Sequence, residues 1–278
     1  MDTQHTDEPW LEIIVPDYPR ASARAAIFDF DGTLSLLRRN WQDTMIPMMV
    51  EVLQRETDTR ESPEQLARHV ESFVMRLNGK QTIYQMIQLA EEVRSRGGSP
   101  RDPLEYKAEY HERLWEHVAE RIERVRSGRI PPDEMTVPGS RELLQGLVER
   151  GIRPYLASGT DRHYVVDELE TLGLAEFFEG RVWGALDDYR RFSKAMIIER
   201  IIEECGVRGG QLVAFGDGFV EIEETAKAGG LAIGVASDEV NRSGINDWKR
   251  RRLIAAGAHW IIADYREHES IVDRLVGG

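Results

Sequence analysis

Apolar positions along this chain follow two periods, and the change from one to the other divides it. Ala26, Ile27 and Phe28 form a short apolar run suited to a buried strand, and it stops abruptly at Asp29. From Leu36 to about Arg129 the apolar positions recur at helical spacing instead. The pattern there predicts one helix over 36–56, bent at Pro47, and a second from the Ser62 cap to Leu77. A third is predicted over 81–96 and a fourth from Asp102 onward. Ser62-Pro63-Glu64-Gln65 reads as a capping box with proline at the first helical position, while Asn78-Gly79 and Gly97-Gly98 are stops. In the fourth helix Leu114, Val118, Ile122 and Val125 make an apolar stripe.

After Pro131-Pro132 the texture becomes strand and helix in turn. Helices are predicted over 141–150, 162–171, 194–205, 221–228, 247–256 and 267–275, and strands over 152–157, 181–185, 212–215, 231–235 and 259–263. Strands separated by helices imply an α/β fold with a Rossmann-like parallel sheet covered on both faces, whose ligands bind at the carboxyl ends of the strands. Residues 1–20 read as a tail, polar at first, with 11–15 as an edge-strand candidate and Pro16 and Pro19 as breakers. The expected organisation is that tail, a core of 21–37 with 136–278, and an inserted helical cap over 38–135.

Composition narrows the partners. A formal net charge of −13 over 278 residues argues against nucleic acid or an anionic membrane and leaves a small phosphorylated molecule open, since local cations override a global field. Cys205 is the single cysteine, so no internal disulfide or thiolate metal cluster can form. The first ten residues lack the apolar core of a signal peptide, and no run of about 18 apolar residues occurs, so a cytoplasmic location is expected.

Candidate chemistry gathers at the predicted strand ends. Asp29 and Asp31 stand one residue apart, and side chains at i and i+2 of a strand share a face, so both are expected to converge on one place. Two such carboxylates raise each other's pKa unless a cation lies between them, for which a divalent metal is the natural candidate; an acidic Asp-Gly turn is the plain alternative. Ser158-Gly159-Thr160 follows another strand. A hydroxyl beside a glycine N–H before a helix suits phosphate, and Thr160 or Asp161 equally suits an N-cap. Lys194 opens a helix after Phe192-Ser193, where its charge opposes the dipole and so points to another use. Gly216-Asp217-Gly218 ends the 212–215 strand, with Glu221 four residues on; Asp217 suits direct metal coordination and Glu221 a metal-bound water or Lys194. His111 and His117, with Trp115 between them, lack metal-ligand spacing and read as packed or solvated.

DFDGT at 29–33, a strand ending in Ser158, then Lys194, then GDGxxE at 216–221 resemble, in that order, the four signature motifs of the haloacid dehalogenase superfamily of phosphohydrolases. Val137-Pro138-Gly139 looks like the lead-in to the second motif, and the helical insert after the first resembles the cap of phosphoglycolate phosphatase and β-phosphoglucomutase-like members. The resemblance implies Asp29 as a nucleophile that forms an aspartyl-phosphate and Asp31 as general acid and base, with Thr33 supporting the turn. It implies Ser158 and the Gly159 backbone on the phosphoryl group, Lys194 neutralising it, and Mg²⁺ held by Asp29, the Asp31 carbonyl and Asp217, with Glu221 direct or through water. Glu221 and Thr225 stand where many members have Asp and Ala.

The expected function is a Mg²⁺-dependent phosphatase of a small phosphorylated metabolite, with a phosphomutase or an idle binding protein as alternatives. No P-loop is present. Lys80 and Gln81, in the polar break after Asn78-Gly79, and Arg38 and Arg39 near the hinge are the candidates for contact with the leaving group, a solvated turn being the alternative for the break.

Overall fold

The computed structural model describes residues 4–5 (by their backbone), 8–16, 18, 22–185 and 193–277. Residues 1–3 and 6–7 of the polar start of the tail, Pro19 and Phe192 lie outside the described residues. The chain divides into two compact units, one of Met1–Arg39 with Ile122–Gly278 and one of Asn40–Arg121.

The first unit is built on one sheet. Its strands are β1 (Gln4–His5), β2 (Leu11–Ile13), β3 (Ala25–Phe28), β4 (Arg153–Asp161), β5 (Val182–Ala185), β6 (Leu212–Gly216), β7 (Leu231–Val235) and β8 (Trp260–Ile262), in the order β1-β2-β8-β7-β6-β3-β4-β5. From β8 to β5 all pairings are parallel. Only the far edge departs from the parallel expectation. β2 lies antiparallel to β8, with Leu11 opposite Ile262, and β1 lies antiparallel to β2. Part of the segment read as a tail is therefore sheet, because Leu11 is buried and the β8 edge offers its N–H and C=O groups a partner. Phe28 stands level with Leu156 of β4 on one side and Phe215 of β6 on the other. The chain lays β4 and β5 outward from β3 before crossing back to β6, so the carboxyl ends of β3 and β6 flank the switch point where ligands of such sheets sit.

The second unit is helical, with α1 (Gln42–Glu56), α2 (Pro63–Leu77), α3 (Thr82–Ser95) and the greater part of α4 (Pro103–Arg126). The capping box forms as expected: Ser62 Oγ accepts from Gln65 N at 3.3 Å, and Gln65 Oε1 accepts from Ser62 N at 2.8 Å. Met48, Leu53, Leu66, Phe73, Met86 and Leu89 fill its interior.

The helix expected over 36–56 begins only at Gln42. Leu36 and Leu37 are core residues, and their segment is stitched to the stretch around Met135: Leu36 N donates to Met135 O at 2.8 Å and Val137 N to Leu34 O at 3.0 Å. An apolar run that buries itself by insertion does not need helical hydrogen bonds to satisfy its backbone. The remaining helices are α5 (Ser140–Glu149), α6 (Arg162–Leu172), α7 (Ala175–Phe178), α8 (Lys194–Cys205), α9 (Val220–Lys227), α10 (Asp247–Ala255) and α11 (His268–Val276). The short α7 has no counterpart in the periodicity, and β4 runs four residues past its expected end, with a register shift between Ala157 and Asp161. No helix of the described residues is long and apolar enough to cross a membrane.

Alternation along β3 sets the site. Ala25 and Ile27 pack with Ile197, Ile198 and Ile201 of α8, while Phe28 stacks on Phe215 at 4.7 Å between ring centroids on the other face. Both faces are thus covered, and continuing the alternation aims Asp29 toward the side that carries the start of α8.

Candidate active site

Asp29 meets Lys194 there. Lys194 Nζ lies 2.7 Å from Asp29 Oδ2 and 3.1 Å from Glu221 Oε2, and all three side chains are buried. Ser193 caps α8 by accepting from Met196 N at 3.1 Å, which fixes the turn that delivers the lysine. Burial works to lower the Lys194 pKa, but the Asp29 and Glu221 carboxylates outweigh it and hold the ammonium above its ordinary range. Burial also pushes the Asp29 carboxyl up, Lys194 drawing it down and Glu221 and Asp217 adding to the rise. Phe30 N donates to Asp29 Oδ1 at 2.7 Å.

Asp217 comes from the end of β6. Thr33 Oγ1 accepts from Asp217 N at 3.0 Å and lies 3.4 Å from its Oδ1, tying the two loops together. Gly32 has φ of +75°, and a Cβ on it would lie 2.3 Å from Asp217 Oδ2, so both the turn and the close approach require glycine. Gly216 is needed for a similar reason: a Cβ there would lie 2.1 Å from Glu221 Oε1. Glu221 folds back in this way to accept from Gly218 N at 2.9 Å, so its Oε1 holds the loop while Oε2 holds Lys194.

Asp29, Asp217 and Glu221 present oxygens within 4.8 Å of one another, the one such acidic, histidine or cysteine group among the described residues. Hard carboxylate oxygens are the donors that Mg²⁺ takes. The Asp31 side chain is not in this group. Asp29 pairs with Lys194, and the Asp31 side chain pairs with a different set while still feeling Lys194 and Asp217. Thr160 Oγ1 donates to Asp31 Oδ2 at 2.7 Å, and Arg38 Nε lies 3.7 Å from Oδ1. Burial raises the Asp31 pKa, with Arg38 and the Thr160 hydroxyl pulling the other way. Arg38 is itself held by Glu168 of α6, Nε to Oε1 at 3.0 Å and Nη2 to Oε1 at 2.5 Å. Glu168 is wholly buried, and burial, only partly offset by Arg38, pushes its carboxyl up to about 7.

Ser158 is buried at the end of the straight part of β4, and its Oγ accepts from Thr160 N at 3.0 Å across the intervening Gly159. Neither Thr160 nor Asp161 caps α6; the threonine hydroxyl is engaged by Asp31, and Asp161 makes no side-chain cap bond. Arg38 is buried on Glu168 and Asp31, while Arg39 is half-buried in the turn beyond. Lys80 is exposed and Gln81 buried at the α2–α3 junction.

Glu168, the Thr160 contact to Asp31, and Lys249 lie outside the motifs of the sequence. The last lies in α10 with Nζ 2.9 Å from Asp217 Oδ2 and 2.7 Å from Glu239 Oε1. Like Lys194, it is a lysine in the first turn of a capped helix, in this case behind Asn246, though within a run of basic residues.

A family model described as haloacid dehalogenase-like hydrolase matches residues 23–229. The chain belongs to the haloacid dehalogenase-like hydrolases. None of the curated proteins matches it by sequence. Among solved structures, a predicted phosphoglycolate phosphatase from Haemophilus somnus 129pt is 15% identical with a TM-score of 0.59, over 91% of this chain and 99% of that one. A Thermotoga maritima protein assigned provisionally as β-phosphoglucomutase is 20% identical with a TM-score of 0.55, again over 91% and 99%. A HAD family hydrolase from Deinococcus radiodurans R1, solved with bound phosphate and sodium, is 16% identical with a TM-score of 0.52, over 93% and 100%. At these identities the likeness is one of fold: this haloacid dehalogenase-like hydrolase has phosphatase and phosphomutase neighbours.

Proposed function

We propose that this hydrolase is a Mg²⁺-dependent phosphatase that releases phosphate from a small phosphorylated metabolite through an aspartyl-phosphate at Asp29. The observation that carries the reading is the buried Asp29–Lys194 pair, 2.7 Å apart, beside an acidic group formed with Asp217 and Glu221. A phosphate monoester is anionic and repels a carboxylate nucleophile, so a site for it must bring cations to a carboxylate rather than carboxylates alone. The bound phosphate of the Deinococcus radiodurans hydrolase, which shares the fold, supports the same substrate chemistry.

Asp29 attacks phosphorus, and the P–O bond to the leaving group breaks as Asp31 gives its proton to the departing oxygen. Asp31, now a carboxylate, takes a proton from water as that water attacks the phosphoryl group, and inorganic phosphate leaves Asp29 free. A raised pKa suits the first half of this cycle, and the Thr160 hydroxyl with Arg38 suits the second by stabilising the carboxylate. Lys194 balances charge on the transferring group from Asp29's side, and Glu221 keeps it there. Ser158 and the Gly159 N–H receive the phosphoryl oxygens. Asp29 and Asp217, with the Asp31 backbone carbonyl, would hold Mg²⁺, which supplies further charge neutralisation. Glu221, whose oxygens accept from Lys194 and from Gly218 N, would hold that lysine and the loop and meet the metal directly or through water.

Hydrolysis of p-nitrophenyl phosphate tests the reading: turnover with Mg²⁺, silence with EDTA and recovery on re-addition are expected, and turnover that persists without metal would overturn it.

A further inference from the structure

Asp217 carries a second lysine that the reaction above does not use. Lys249 is 6% exposed and reaches three groups: Asp217 Oδ2 at 2.9 Å, Glu239 Oε1 at 2.7 Å and Ser237 Oγ at 3.3 Å. Ser237 Oγ in turn donates to the Gly32 carbonyl at 2.8 Å, so this set grips the turn that follows Asp31. Its position is costly in two ways, since an ammonium in a first helical turn opposes the dipole and a buried one gives up its hydration. A Lys194-like function explains one such lysine; Lys249 faces away from the nucleophile's partnership and toward the carboxylate expected to bind metal.

We infer that Lys249 is a built-in counter-charge that occupies one oxygen of Asp217 and lowers the affinity of the acidic site for a divalent metal, with Glu239 setting how much of that charge Asp217 feels. The inference rests on the reading of Asp217 as a metal ligand. A lysine ammonium and a divalent cation within a few ångströms repel each other strongly wherever the local dielectric is low. Glu239 shares the ammonium and so moderates that repulsion. An ordinary structural ion pair would behave in the opposite way, because loosening Asp217 would weaken the metal site.

The signs of four variants separate these outcomes, read as half-saturating Mg²⁺ on the full chain without substrate, by calorimetry and by the Mg²⁺ dependence of thermal unfolding. Lys249→Met should bind Mg²⁺ at least about fivefold more tightly than wild type, and Glu239→Gln at least about threefold more weakly. The double variant, which removes a charge of each sign, should return to within about twofold of wild type, and Lys249→Arg should stay close to it. A Lys249→Met protein that binds no tighter, or a Glu239→Gln protein that binds no weaker, overturns the inference and leaves the metal site standing. If Lys249→Met does not fold, Glu239→Gln and Lys249→Arg decide it, since both keep the buried cation. Wild-type protein that shows no saturable Mg²⁺ binding overturns the metal reading and this inference with it.

Discussion

In the helical unit, Arg101 reaches Glu56 at 3.0 Å and Glu109 at 2.6 Å, and Arg113 reaches Glu51 and Glu109, both at 2.7 Å. In the sheet unit, Lys194 lies between Asp29 and Glu221 at distances of the same order. The lengths do not distinguish the two networks, but exposure does: the Arg101 and Arg113 side chains are 33% and 35% exposed, that of Lys194 only 4%. Pairs that water can reach are screened and contribute little, whereas a buried pair carries a desolvation cost that only excellent geometry or a function offsets. Arginines dominate the first network and lysines the second, in keeping with a planar fork that matches carboxylates and a compact charge that balances a phosphoryl group. Burial of charge, more than its abundance, marks the working part of this chain.

That comparison breaks most visibly at Asp29. Asp29→Asn should lower phosphatase turnover by at least about 10⁴-fold, because an amide cannot act as the nucleophile. Its circular dichroism should remain that of the folded protein. Undiminished turnover would reduce the buried network to a structural one. Asp31→Asn should cost about 10²–10⁴-fold and slow both formation and hydrolysis of the aspartyl-phosphate, since one group serves as acid and then base. Rapid-quench measurement that finds one step spared would require a second general base.

The strand ends that bear these residues were legible in the sequence because each combines an apolar run with an abrupt acid, hydroxyl or glycine. Asp29, Ser158 and Asp217 all lie where β3, β4 and β6 reach the switch point. What stayed hidden depends on side chains brought from afar. Glu168 sits in α6 at a position indistinguishable by pattern from a solvated glutamate, yet it is wholly buried on Arg38, 130 residues away. Lys249 opens the run Lys249-Arg250-Arg251-Arg252, which reads as a charged surface and hides a buried lysine. β1 and β2 were partly masked by Pro16 and by the polar residues ahead of them, since an edge strand needs a neighbour more than a strong pattern.

Glu168 sharpens the comparison through pH. Its pKa is raised from the ordinary 4.5 to about 7, so between those values the folded state holds a proton that the unfolded chain has released. Stability from this group is therefore fully present below about pH 4.5, falls as pH rises toward 7 and is constant above it. Relative to Glu168→Gln, wild type should lose about 1–3 kcal/mol across that window, measured by urea unfolding at intervals of pH. A difference between the two that stays flat would mean that the pair remains ionised throughout and that Arg38 alone compensates the burial.

The smallest effect belongs to the helical unit, and it tests the exposed half of the contrast. Arg101 stands over the Tyr106 ring at 4.5 Å and pairs with two glutamates, while the Tyr106 hydroxyl donates to Glu56 in a short bond. In the bonds it makes this is as rich a network as the one around Lys194. Arg101→Gln keeps most of the side-chain volume and removes the charge, so the change should isolate the ionic part. We expect a loss of less than about 1 kcal/mol at low salt, shrinking further in 0.5 M salt (a concentration of about that size screens beyond roughly 4 Å). Phosphatase kcat should not move. A salt-independent loss of about 3 kcal/mol or more would place Arg101 with the buried pairs and show that exposure is a poor guide to which charges in this chain carry weight.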